Sequence, residues 1–184
     1  HADIVHDLAH PEAPVSAIGY LVAGLRHRRD AGIAPFTTIC CDNLTGNGRK
    51  LGAAVVAFAD RLDPALARWI EREAAFPCTM VDSIVPATDD DVRARVAAVL
   101  GVEDRWPVQR EAFAQCVIQE RFCNDVPDFA RVGATLTDDV AGYESAKLRL
   151  LNGSHSTLAY MGLAAGHASV AEAMADPALA GFVR

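Results

Sequence analysis

No run of apolar residues in this 184-residue chain reaches membrane-spanning length, which excludes a transmembrane helix within it, and nothing in it resembles a signal peptide. Basic residues are outnumbered: 17 Lys and Arg face 24 Asp and Glu, for a formal net charge of −7. That balance argues against a nucleic-acid footprint, which requires a basic face. Cysteine is sparse and odd in number, five residues without a Cys-x-x-Cys pair, so free thiols in a reducing cytoplasm are the simplest account. Charged residues make up only 22% against 51% hydrophobic, which argues for a folded protein and against disorder. The length suffices for one good core or two small ones. No internal repeat or low-complexity tract occurs.

The apolar spacing predicts helices over residues 14–30, 49–60, 64–75 and 92–100, with Gly32 stopping the first and Pro64 near the start of the third. Residues 36–41 are short, apolar and partly β-branched after a proline, and read as a buried strand. Residues 42–48 read as a turn of Asp, Asn and Gly. Residues 79–85 read as extended, closed by Pro86, and residues 115–119 as a short strand. Beyond Asp89 the pattern turns helical, over residues 138–166 with a break near Gly153, then 170–174 and 177–183. The change of domain is expected near residues 86–89, giving units of 1–87 and 88–184.

Residues 143–156, YESAKLRLLNGSHS, set a carboxylate, a lysine, an amide and an imidazole in an apolar run. At about 100° per residue with Lys147 at zero, Glu144 falls near 60°, His155 near 80° and Asn152 near 140°, an arc of roughly 140°. Leu148 and Leu151 fall in the same arc, and a lysine in a partly apolar wall loses hydration in its charged form, so its pKa drops and its neutral amine can act as a base. Plainer readings stand beside this one: Glu144 and Lys147 as a surface ion pair, Asn152-Gly153 as a capped helix end, His155 as a core histidine.

The string KLRLLNGSHS with YES upstream resembles the lysine motif of the polyol-specific long-chain dehydrogenases, the family of the mannitol 2-dehydrogenases and hexuronate reductases. Residues 38–44, TICCDNL, followed by Gly46-Asn47-Gly48, are similar to that family's Cys-Asp-Asn turn. Residues 76–86, FPCTMVDSIVP, are similar to its Val-Asp-Arg signature, with Ser83 where most members carry arginine and Ala74 where a larger aliphatic is usual.

The resemblance implies a fold and a reaction. The fold is α/β followed by mainly α: the C-terminal part of a Rossmann-like nucleotide domain joined to the start of an all-helical substrate domain. The reaction is reversible hydride transfer between a secondary alcohol and a ketone, with NAD or NADP as cofactor, a sugar alcohol or a hexonate/hexuronate as substrate, and no metal. In that scheme Lys147 is the acid/base, and Asn43 and Asn152 donate to the oxygen that gains charge. His155 holds a substrate hydroxyl, Glu144 relays the proton, and Asp82 fixes the polyol chain, with Asn43 and Asp82 also at the cofactor's edge. The chain opens at His1 without a strong nucleotide fingerprint, so the expectation is an internal stretch of a longer enzyme, with little activity alone. The alternative is a non-catalytic helical binding or regulatory module derived from a dehydrogenase.

Competing motifs are weaker. Gly46, Gly48 and Gly52 follow the predicted strand as G-x-G-x-x-x-G, one residue off the dinucleotide fingerprint, and a plain turn is the better reading. His1, His6 and His10 with Asp3 and Asp7 have partial metal-ligand spacing but sit together at one chain end, where solvated residues are the better reading. The cysteines are best read as small apolar packing residues.

Overall fold

The computed structural model describes residues 1–183. They form two compact units, His1–Asp138 and Asp139–Arg184. The division lies between Asp138 and Asp139 and not near residues 86–89. The change to acidic, helical sequence at Asp89 marks only a helix start, because the strand at residues 115–119 returns to pair with the strand at 79–82 and keeps both in the first unit.

The first unit opens with α1 (Ala2–Ala9), α2 (Ala17–Asp30), α3 (Asn47–Leu62) and α4 (Pro64–Glu73). Val22 and Leu25 of α2, Val55, Phe58 and Ala59 of α3, and Leu66, Ala67 and Ile70 of α4 make its buried core, with Ile4 and Leu8 of α1 packed against it. Each turn between these helices has its own lock. Gly32, at φ 68°, lets Ile33 N–H reach back to the Arg28 carbonyl at 2.8 Å and close α2. Asp63 caps α4 by accepting Ala65 N–H at 2.8 Å, and Arg29 donates to its other oxygen at 2.8 Å, joining the end of α2 to the start of α4. That bond from Arg29, with the Ala65 N–H, holds the Asp63 carboxyl below its ordinary range.

A three-stranded sheet follows, in the order β1 (Thr79–Asp82), β2 (Gln115–Gln119), β3 (Thr135–Thr137). β1 and β2 are antiparallel, with Thr79 opposite Ile118 and Asp82 opposite Gln115; β2 and β3 are parallel. Helix α5 (Asp90–Leu100), capped by the Asp89 carboxylate accepting Val92 N–H, lies in the β1–β2 connection, and a 3₁₀ turn (Phe129–Val132) precedes β3.

The predicted strand at residues 36–41 is not one. Its Thr38 N–H donates to the Ala75 carbonyl at 3.0 Å, but its neighbours otherwise hold it through side chains and not through a ladder. Asn124 Nδ2 donates to the Pro35 carbonyl at 2.7 Å, Thr37 N–H donates to Asn124 Oδ1 at 3.0 Å, and Cys123 N–H donates to the Thr37 hydroxyl at 3.0 Å.

The second unit is helical: α6 (Val140–Ala146), a π-helical turn (Lys147–Asn152), α7 (Gly153–Ala164), α8 (Val170–Ala175) and α9 (Pro177–Val183). Leu158, Ala173 and Leu179 form its core. Gly162 permits the approach of α7 to α8, since a Cβ there would lie 2.9 Å from that of Ala173. Among the described residues no helix is long and apolar enough to cross a membrane.

Candidate active site

The residues singled out for chemistry fall into two groups, one in each unit. In the first, the chain turns at Gly46, whose φ of 63° and ψ of 37° lie in the left-handed region, and starts α3 at Asn47. Asn47 is 2% exposed, and its amide is fully engaged. Its Oδ1 accepts the N–H of Gly48 at 2.7 Å and of Thr79 at 2.9 Å. Its Nδ2 is shared among the carbonyls of Cys40 at 2.9 Å, Asp42 at 3.0 Å and Thr79 at 3.1 Å, and the Thr79 hydroxyl at 3.0 Å. Reversing the amide would set its NH₂ against two backbone N–H groups, so the network defines its orientation. The Thr79 hydroxyl donates in turn to the Cys40 carbonyl at 2.6 Å.

Asn43 lies exposed on this turn, and Asp82 ends β1 half-buried. Past Asp82, the Ser83 hydroxyl donates to the Phe113 carbonyl at 3.0 Å and Ile84 N–H donates to Glu111 Oε1 at 2.7 Å, which ties down the exit of the strand. The position where most of the family carries arginine therefore makes a backbone contact here.

The glycines at 46, 48 and 52 serve packing. A Cβ on Gly48 would meet the Pro77 carbonyl oxygen at 2.3 Å and the Phe76 carbonyl oxygen at 2.6 Å, and one on Gly52 would meet the Phe76 ring at 3.1 Å. They let α3 lie against residues 76–77 instead of opening an anion cradle. Asn43 contributes an amide and Asp82 a carboxylate to this unit, groups whose chemistry suits hydroxyl and carboxamide partners and not a pyrophosphate.

In the second unit, Asp139 caps α6 by accepting Gly142 N–H at 2.9 Å. The helix does not end at Gly153: it runs on through the π turn, where Gly153 N–H bonds to the Leu148 carbonyl five residues back, and into α7. The reading of Asn152-Gly153 as a capped end is therefore set aside. The even 100° spacing is corrected as well. A turn closed by i→i+5 bonds advances by roughly 80° per residue, which moves Asn152 to about 40° from Lys147 and His155 to about −20°. With Glu144 near 60°, the four polar residues share an arc of about 80°, narrower than uniform α geometry predicts. Glu144 is buried, Lys147 and Asn152 are half-buried, and His155 is exposed. Leu148, Leu150 and Leu151, at 50%, 72% and 39% exposure, are not a buried wall within this unit.

The remaining candidates have other work. Both carboxylate oxygens of the fully buried Asp7 are taken: Oδ1 accepts Val15 N–H at 2.8 Å, and Oδ2 accepts the Ser16 N–H at 2.9 Å and its hydroxyl at 2.5 Å. His6 Nδ1 lies 3.0 Å from Oδ1, so this cluster fastens α1 to the start of α2. Burial alone would raise the Asp7 carboxyl, but the hydrogen bonds from Ser16, Val15 and His6 overcome it and hold the group well below the usual carboxylate range. Burial, and then the neighbouring Cys41, push the Cys116 thiol up, while Cys41 itself is exposed. Sequence reasoning passed over Asn47. The available signal was an asparagine between two glycines at a strand-to-helix turn.

The first unit joins helices to a small sheet, and the second is all-helical and carries the Lys, Asn and His row. The chain belongs to the mannitol dehydrogenase family: residues 2–131 match the mannitol dehydrogenase Rossmann domain, and residues 139–184 match the mannitol dehydrogenase C-terminal domain. It is 47% identical over 175 residues to the D-mannonate oxidoreductase of Escherichia coli K12, covering 95% of this chain and 36% of that protein. It is 45% identical over 183 residues to the mannitol 2-dehydrogenase of Cereibacter sphaeroides, covering 100% of this chain and 38% of that one. Among solved structures, a substrate-free D-sorbitol dehydrogenase superposes with a TM-score of 0.93 at 37% identity, over 100% of this chain and 38% of the other. The Pseudomonas fluorescens mannitol 2-dehydrogenase, solved as a ternary complex with NAD and D-mannitol, superposes with a TM-score of 0.83 at 42% identity, over 99% of this chain and 37% of the other. The chain thus spans a little over a third of the length of these relatives.

Proposed function

We propose that the protein is an NAD(P)-dependent oxidoreductase that interconverts a secondary alcohol and a ketone on a sugar alcohol or a hexonate. The observation that carries this reading is the π turn at Lys147–Asn152, whose smaller step per residue narrows the arc expected for Glu144, Lys147, Asn152 and His155 to about 80°. The family membership and the NAD and D-mannitol bound to one structural neighbour support it.

Lys147 takes the hydroxyl proton during oxidation and returns it during reduction. Asn152 and Asn43 donate amide N–H bonds to the substrate oxygen as negative charge develops on it, so stabilisation comes from fixed dipoles. The buried Glu144 passes the proton between Lys147 and water. His155 and Asp82 orient the neighbouring hydroxyls, and Asn43 and Asp82 would hold the ribose or carboxamide edge of the cofactor. When bound, the nicotinamide supplies or accepts the hydride. For substrate, the hexonate/hexuronate pair is favoured over free hexitols, on the continuation of residues 155–160 and the 47% identity to a D-mannonate oxidoreductase.

The test is reduction of fructuronate, tagaturonate and fructose by the intact protein with NADH and NADPH, alongside Lys147→Ala. Turnover of a hexuronate that falls by about 10²–10⁴ in the variant and partly returns with added primary amine supports the reading. A Lys147→Ala protein with unchanged turnover removes the base and the mechanism with it.

A further inference from the structure

We infer that Asn47 is a positioning residue for this reaction, clamping the backbone of residues 40–42 against the start of β1 and so setting where Asn43 and Asp82 present their polar groups. The inference rests on the proposed role of Asn43.

Residues 41–45 are all exposed, so none of their own side chains is buried, and the segment leading in belongs to no ladder. Within the turn, Leu44 N–H donates to the Asp42 carbonyl at 2.8 Å, a bond local to the turn. The bonds that tie it to the rest of the unit at residues 40 and 42 come from Asn47 Nδ2 and the Thr79 hydroxyl, which Asn47 itself contacts. Asn43 follows the clamped Asp42 carbonyl directly, one peptide unit or about 3.8 Å of chain away. On the other side the same amide grips Thr79 through its N–H, carbonyl and hydroxyl, and β1 runs from Thr79 to Asp82. One buried side chain thus references both candidate groups to a common point. Removing it also strands buried polar groups, since the Gly48 and Thr79 N–H groups lose the acceptor that Asn47 Oδ1 provides.

A fold-stabilising role alone would make the same contacts, so the test is a double-mutant cycle in the intact protein. Asn43→Ala, Asn47→Ala and the double variant are compared for kcat, substrate KM and cofactor Kd, with Leu66→Ala as a control. Leu66 is fully buried in the α2–α3–α4 core, and its truncation lowers thermal stability without touching the turn. Misplacement on the ångström scale costs up to about 100-fold, so Asn47→Ala should lower kcat by about that factor and raise cofactor Kd as well, since Asn43 and Asp82 also meet the cofactor's edge. The double variant should lose less than the product of the two single losses, because Asn47 acts in part through Asn43. Leu66→Ala, assayed well below its melting temperature, should keep its kcat.

Losses that multiply, an Asn47→Ala protein of normal turnover, or an equal loss in Leu66→Ala would each overturn the inference. If instead Asn43→Ala retains full turnover, the oxyanion reading itself fails, and this inference falls with it. Should Asn47→Ala not fold, Asn47→Asp replaces it in the same cycle. That variant keeps the two acceptor contacts to Gly48 and Thr79 N–H and sets an oxygen against the Cys40, Asp42 and Thr79 carbonyls where the donor was, which pushes the turn off its anchor, and the same non-additivity is expected.

Discussion

Gly48 and Pro77 meet backbone to backbone: a methyl group on Gly48 would lie 2.3 Å from the Pro77 carbonyl oxygen. Neither partner is the movable end of a side chain, so Gly48→Ala must displace α3 or the entry to β1. It is expected to cost at least the roughly 1–3 kcal/mol typical of overpacking. Gly153 is the contrast. A Cβ there finds only the Leu148 carbonyl oxygen, at 3.6 Å, and the backbone is already helical. Gly153→Ala should be neutral or stabilising by about 0.4–1 kcal/mol. Urea midpoints of the two variants check both signs.

Asn152→Ala should lower kcat by about 10²–10³, the typical cost of losing one oxyanion donor, with cofactor affinity unchanged. Steady-state kinetics with a fluorescence titration of NADH separates the two. Unaltered turnover would take Asn152 out of the proposed role.

The π turn is an α-helix with one residue too many, which gives it an asymmetric response to length. Deleting Leu150, 72% exposed, leaves Asn152 four α-helical residues from Lys147, again near 40°. Inserting an alanine after Leu150 swings Asn152 and His155 onward by roughly 80–100°. The deletion should retain helicity and most of the activity; the insertion should abolish activity at equal helicity. Equal activity in both, measured with circular dichroism as the control, would contradict a shared polar face.

Asp7 makes the α1–α2 junction acid-sensitive. Its folded carboxyl titrates well below the ordinary value, so its contribution is fully present above about pH 4 and is lost as pH falls from there toward the depressed folded value. In Asp7→Asn that contribution is missing at neutral pH. The stability gap between wild type and variant should therefore be widest at pH 5–7 and should shrink in acid. Urea unfolding at a series of pH values would show it; a gap that widens on acidification would refute the linkage.

Apolar spacing made α2, α3, α4, α5 and β2 legible to within a few residues, because each buries a regular face or is a compact apolar block. It failed where shape depends on distant partners. Residues 36–41 have strand composition, yet Asn124, Cys123 and Asn47 claim their backbone from far along the chain. Thr135–Thr137 is too short and polar to announce itself and is a strand only because β2 lies beside it. The four polar groups of the second unit could be named from sequence. Their shared face could not be measured, since nothing in LRLLN distinguishes a π turn from an α turn. Asn47 was missed for a similar reason: one amide looks the same in a surface turn as at the hub of six hydrogen bonds.

That hub reads carbonyls and amides along the loop, never its side chains. The loop's outline is thereby uncoupled from its chemistry: Cys41, Asp42 and Leu44 can be exchanged to recruit different molecules while the frame around them keeps its form. A lineage, or an engineer, seeking new selectivity has a few freely variable letters there, provided the one concealed carboxamide is left alone.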